Sequence, residues 1–170
     1  LWSKGSNLWL RDFSSKINTH ISSSAGNWNN SVAANGVVGY WSSDGNYSIV
    51  KFEGGTNTTL VTDNEYWNTY VITDGTQFVY RKHDECCSNQ KYSLALHDGQ
   101  REFILTDFRD SSPRSGQDYS INNGWVAFTK LGGLGQTIIW TRDFNGNLHQ
   151  RTSYGSSSFI DGLASNGEVM

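Results

Sequence analysis

The stretch Ile121-Asn122-Asn123-Gly124-Trp125-Val126-Ala127-Phe128-Thr129 reads as strand, tight turn, strand. Asn-Gly between two apolar alternating runs is the strongest short-range hairpin signal, because both residues tolerate positive φ. The same unit returns as Ala34-Asn35-Gly36-Val37, Thr73-Asp74-Gly75-Thr76 and Ser165-Asn166-Gly167-Glu168. The glycines Gly36, Gly75, Gly124 and Gly167 are spaced by 39, 49 and 43 residues. A period of ~40–50 residues holding four short strands is the signature of a propeller blade.

Composition agrees with short strands joined by polar turns. Gly occurs 18 times and Pro once, aromatics make up 14%, and Ser, Thr and Asn are abundant. No window of ~11 residues carries a helical period, so essentially no α-helix is predicted. The 170 residues suffice for one domain. A net charge of −3 and a pI near 5.7 argue against a non-specific nucleic-acid binder, which needs a basic stripe. No apolar run approaches the ~18 residues of a membrane span.

Within the period, four strands a to d follow in order. The first repeat holds Asn30–Ala34, Val37–Ser42, Tyr47–Glu53 and Thr58–Thr62. The second holds Trp67–Thr73, Thr76–Lys82, Lys91–His97 and Glu102–Thr106, and the third Asp118–Asn122, Trp125–Lys130, Thr137–Phe144 and Leu148–Thr152. The fourth is split between the termini. Phe159–Ala164 supplies strand a, residues 168–170 open strand b, Leu1–Lys4 finishes it, and Leu8–Phe13 and Ile17–Ser22 supply c and d. Met170 followed by Leu1 keeps the register, with a wrapped spacing of 39 residues. Either the ends meet and complete a blade in a closed four-blade ring, or the chain is part of a larger ring. The expected repeats are 28–65, 66–116, 117–158, and 159–170 plus 1–27, within a single domain 1–170.

The segments Ile121–Thr129 and Val32–Ser42 resemble the opening hairpins of TolB-like and WD40-type β-propeller repeats. The usual Pro before the turn is absent, and no Trp-Asp pair closes strand c. The resemblance implies an all-β propeller of four antiparallel strands per blade and no particular activity, since the fold hosts many functions.

Such a blade has two unlike ends. The a–b and c–d turns are tight and share one face of the disc. The b–c loops and d–a crossovers share the other and are long: Ser22–Asn27, His83–Gln90, Asp107–Gln117, Leu131–Gln136 and Ser153–Ser158. Long variable loops on a rigid scaffold are where binding residues concentrate. Candidate ligand-binding residues there are His83, Asp84, Glu85, Arg109, Asp110 and Arg114. The arginines could clamp a carboxylate or phosphate, or form surface ion pairs. Trp28, Trp67 and Tyr119 open inner strands, as stacking platforms for sugars or as wedges between blades. Trp2, Trp9, Trp41, Trp125 and Trp140 read as core. Adjacent Cys86 and Cys87 are two free thiols or a strained vicinal disulfide. A metal at His83–Cys87 is disfavoured because consecutive residues rarely chelate one ion, and no cofactor motif occurs. Sequons at Asn29, Asn46 and Asn57 agree with export.

The expectation is a rigid binding module, secreted or on the cell surface, for a carbohydrate or protein ligand. It has no nucleic-acid or membrane partner, and self-association or a missing remainder of a larger propeller stays open. The alternatives are part of an extracellular polysaccharide lyase or hydrolase, whose carboxylates would converge from different blades, or a structural scaffold.

Overall fold

The computed structural model describes residues 1–26, 30–43, 47–84, 91–107, 118–131, 136–152 and 160–170. Every element among them is a β-strand, and the strands form four antiparallel sheets. The N-terminal sheet holds β1 (Trp2–Lys4), β2 (Asn7–Arg11) and β3 (Asn18–Ser22). The second holds β4 (Ser31–Val32), β5 (Val38–Ser42), β6 (Ser48–Glu53) and β7 (Thr56–Val61). The third holds β8 (Tyr66–Thr73), β9 (Phe78–Asp84), β10 (Lys91–His97) and β11 (Glu102–Ile104). The fourth holds β12 (Tyr119–Asn122), β13 (Trp125–Leu131), β14 (Thr137–Arg142) and β15 (Leu148–Gln150). Each is an up-and-down meander in chain order.

Sheets adjacent in sequence pack face to face. Leu8, Ile21 and Ala25 meet Val38, Tyr40 and Phe52. Val37, Trp41 and Ile49 meet Val71, Phe78 and Tyr80. Val79, Leu94 and Leu96 meet Tyr119, Val126 and Phe128. Ala127 and Ile139 meet Ile160 and Leu163 of the C-terminal segment, where Leu163 and Val169 bridge across the fourth turn. The central strands β5, β9, β10 and β13 are buried on both faces, as blades with a neighbour on each side require. This is the stacking of propeller blades. Gly39 marks its tightness, since an added Cβ would lie 3.1 Å from Phe78 of the next sheet.

The expected equivalence of the four a–b turns needs correction. Only Asn123-Gly124 has both residues at positive φ, 49° and 80°, in a two-residue hairpin closed by Asn122 and Trp125. At the first and fourth turns only the glycine is left-handed. There Gly36 donates to Ala33 O and Gly167 to Ala164 O, each at 3.0 Å. That is the three-residue hairpin ending in a glycine bulge. Trp2 is a second correction: it lies on the edge strand β1, is 43% exposed, and stacks on Trp9 at 5.6 Å instead of entering a core.

The a–b turns also fasten to one another across the blades. An added Cβ on Gly75 would meet the Asn35 side chain of the preceding turn within 3 Å. Asp74 Oδ2 accepts a 2.6 Å bond from the Gly124 N–H of the following one. Asn122 and Asn123 donate to Leu163 O and Ser165 O at 2.8 and 3.5 Å. The Trp125 ring covers Gly167, where no side chain would fit.

Candidate functional site

The long-loop end of the second and third sheets carries a continuous run of rings. Trp41 sits where β5 approaches its b–c loop, and Tyr47 where the chain re-enters at β6. Their rings stack at 5.7 Å. Tyr47 stacks in turn on Trp67, the second residue of β8, at 4.3 Å. Trp67 meets His83 edge-on at 5.8 Å. His83 pairs with Tyr92 across β9–β10 and stacks on it at 4.6 Å, nearly parallel. Trp41 and His83 are buried, whereas Tyr47, Trp67 and Tyr92 remain partly exposed.

A cation closes the run. The Arg81 guanidinium lies 4.0 Å from the Tyr70 ring and 5.0 Å from that of Tyr92, and its Nε donates to Thr69 Oγ1 at 3.1 Å. Burial pulls its pKa below the ordinary value, opposed by its neighbours, and a guanidinium stays charged under such a shift. The ring faces offset part of that desolvation. Tyr70 is held at φ 55° within β8, where the pairing shifts between Thr69 and Ile72. A bulky residue in the left-handed region is uncommon, and bulges re-aim side chains beside functional sites. Tyr119 braces this bulge by donating its hydroxyl to Tyr70 O at 2.7 Å.

Of the candidate residues, Trp67 and His83 join this run, and Asp84 lies at its edge, paired with Tyr66 and Lys91. Tyr119, a platform or a wedge by sequence, is fully buried in the core between third and fourth sheets. Trp28, Glu85, Cys86, Cys87, Arg109, Asp110 and Arg114 lie outside the described residues. So do Asn29 and Asn46, whereas the side chain of Asn57 donates to Ile21 O at 2.8 Å. Among the described residues, no three or more of His, Cys, Asp and Glu gather as metal ligands. Sequence reasoning missed Tyr47, Tyr70, Arg81 and Tyr92. Tyr47 and Tyr92 carried a positional signal, since each follows a b–c loop within a residue or two, as Trp67 follows a d–a crossover, whereas Tyr70 and Arg81 carried none.

Beside the run lies a charged knot. Lys82, 5% exposed, binds Asp63 at 2.8 Å and Glu102 at 2.9 Å. Its ammonium sits 5.2 Å from the Tyr66 ring, and the Tyr80 hydroxyl donates to the same Glu102 carboxylate. Burial would depress the Lys82 pKa, but its two carboxylates outweigh that and hold it above the usual lysine value. The Tyr80 phenol is raised, first by burial and then by Glu102.

No family model matches this chain, and no curated protein does. Among solved structures it is similar to TolB from Acinetobacter baumannii, at 15% identity and a TM-score of 0.42, over 88% of this chain and 38% of that one. It is also similar to the tricorn protease, at 12% identity and a TM-score of 0.43, over 95% of this chain and 20% of that one. The chain thus spans well under half the length of either. The resemblance is one of fold, and the blade assignment rests on the sheets themselves.

Proposed function

We propose that this chain is a rigid propeller binding module that takes a neutral carbohydrate on the partly exposed rings of Tyr47, Trp67 and Tyr92, with Arg81 as the polar contact. One observation carries the reading: an aromatic run aligned across two blades, at the end of the sheets from which the long loops leave. Flat amphipathic rings accept sugar faces by apolar contact while neighbouring polar groups fix orientation. The buried His83 and Trp41 hold the exposed rings in place before a ligand arrives, and pre-organisation of this kind lowers the cost of binding.

The hydrolase alternative draws no support from the aspartates whose titration is shifted. A glycosidase acid needs a carboxyl held protonated near neutral pH. Among the described residues, every aspartate with a resolved shift moves the other way. With the binding reading goes the proposal of an exported or cell-surface protein.

Tryptophan fluorescence titrated with a panel of neutral oligosaccharides tests the reading. A saturable change is expected for at least one, weakened about tenfold by Trp67→Ala, as the loss of one ring contact implies. Absence of any saturable change across the panel, or equal binding by the variant, would overturn it.

A further inference from the structure

The third and fourth sheets leave a groove of about 330 Å³ on their outer side, away from the aromatic run. Its floor is apolar, from Phe103, Leu105 and Leu148, and three cations line it: Arg101, Lys130 and Arg142. Both guanidiniums crowd one ring, Arg101 at 4.6 Å and Arg142 at 4.7 Å from Phe103. The Lys130 ammonium lies over Phe128 and Trp140 at 5.6 and 5.5 Å.

Acidic compensation is indirect: Asp98 and Asp143 act on the Arg142 charge without pairing with it. Among the described residues, Lys130 and Arg142 make no ion pair, and Arg101 reaches Asp98 only at 3.9 Å. Asp98 is occupied by the N–H groups of Gln100 and Arg101. Asp143 is occupied by Asn147. Arg142 is 8% exposed, and its Nη1 has no hydrogen-bond partner. An unmet buried donor on a charged group is costly, more so with a second guanidinium nearby. Gly146, at φ 91°, lies where an added Cβ would come within 3.2 Å of Arg142 Nη2, so the c–d turn leaves the guanidinium its room.

We propose that this groove is an oxyanion site, in which Arg142 and Lys130 hold a carboxylate, sulfate or phosphate and the apolar floor takes the body attached to it. The acceptor meets Arg142 Nη1 after a small turn of that side chain, and the ligand's charge separates the two guanidiniums. Phe103 and Leu148 favour an anion on an organic body over the bare ion. The site is separate from the aromatic run, so it stands whether or not that run binds sugar.

Amide NMR of the intact chain, titrated with sodium sulfate, sodium phosphate and sodium glucuronate against sodium chloride at matched ionic strength, tests this. Saturable shifts of the Gly146 and Asn147 amides are expected with the oxyanions and not with chloride. Glucuronate binding more tightly than the inorganic ions supports the apolar floor. Arg142→Gln should weaken binding at least tenfold, as loss of a charged hydrogen bond implies. Should that variant misfold, Lys130→Gln, at the groove's edge, should weaken it about threefold with the fold intact. Equal shifts with chloride, no saturation, or undiminished binding by Lys130→Gln would overturn the proposal.

Discussion

The two faces of the propeller are held by different chemistry. On the tight-turn face the work is done by backbone groups and short side chains at fixed offsets. Asp74 collects the N–H groups of Thr76 and Gln77 and the Thr76 hydroxyl, then reaches Gly124 on the next blade. Asp12, Asp98 and Asp143 cap the c–d turns in the same local manner. On the long-loop face, large rings and a desolvated cation span residues up to 51 apart in sequence, from Trp41 to Tyr92. Small polar groups hold the blades in line on one face, and large amphipathic ones line the other.

Breaking the interior between the faces should have the largest effect. Lys82→Ala removes the one ammonium between Asp63 and Glu102 and leaves two carboxylates beside each other. A loss of about 3–5 kcal/mol is expected in chemical denaturation; under 1 kcal/mol would show that the knot is not structural. Next comes Asp74→Ala, which removes four accepted hydrogen bonds at once. About 2–3 kcal/mol is expected, with faster amide exchange at Gly124 and unchanged near-ultraviolet signals from the aromatic run. If both faces respond alike, the division between them is false.

Gly75→Ala sharpens the same point at lower cost. Its φ of 101° and the nearby Asn35 side chain leave no unstrained place for a methyl group, and about 1–2 kcal/mol is expected. The double variant Gly75→Ala with Asn35→Ala separates the two causes: partial recovery assigns the clash, no recovery assigns the backbone.

The smallest effect concerns pH. Burial raises the Asp74 pKa, but donors from Gln77, Thr76 and Gly124 outweigh it and hold the carboxyl low. Asp98 is lowered by its turn N–H groups against burial, and Asp143 falls to about 2, mainly through the Asn147 side chain. Groups depressed in the folded state contribute their full stability above the unfolded carboxylate value near ~3.9. That contribution is lost as pH falls through the folded values. Between about pH 4 and 2, amide exchange should rise first at the tight turns. Earlier loosening at Tyr47 and Trp67 would contradict this order.

Much of the tight-turn face was legible in the sequence, because it is written in contiguous residues. Asp74-Gly75 and Asn123-Gly124 announce their own geometry, and the strand runs predicted from them match the sheets to within about two residues at most ends. The exception is the C-terminal part of the split blade, where residues 160–164 and 168–170 form only the isolated Leu163–Val169 bridge in place of the two expected strands. The turn classes were less so: Asn35 and Asn123 are the same residue before a glycine, yet only Asn123 is left-handed. Strand pairing at Asn122 and Trp125 decides that, and it is a property of the sheet. The aromatic run was half visible. Trp67 and His83 were found because they flank long loops, whereas Arg81 and Tyr70 meet only through a bulge in β8 that no residue in that strand advertises. The groove at Arg142 was invisible, since it needs the outer strands β11 and β15, about 45 residues apart, to face each other.

The turn-to-turn fastening has a further consequence. Each junction uses a different lock: a steric fit of Asn35 to Gly75, a charged bond from Gly124 to Asp74, and amide bonds from Asn122 and Asn123 with an indole lid on Gly167. The blades therefore carry addresses. A blade moved to another place in the series would present the wrong key to its neighbour, so the order of repeats is encoded in the turns as well as in the chain that connects them.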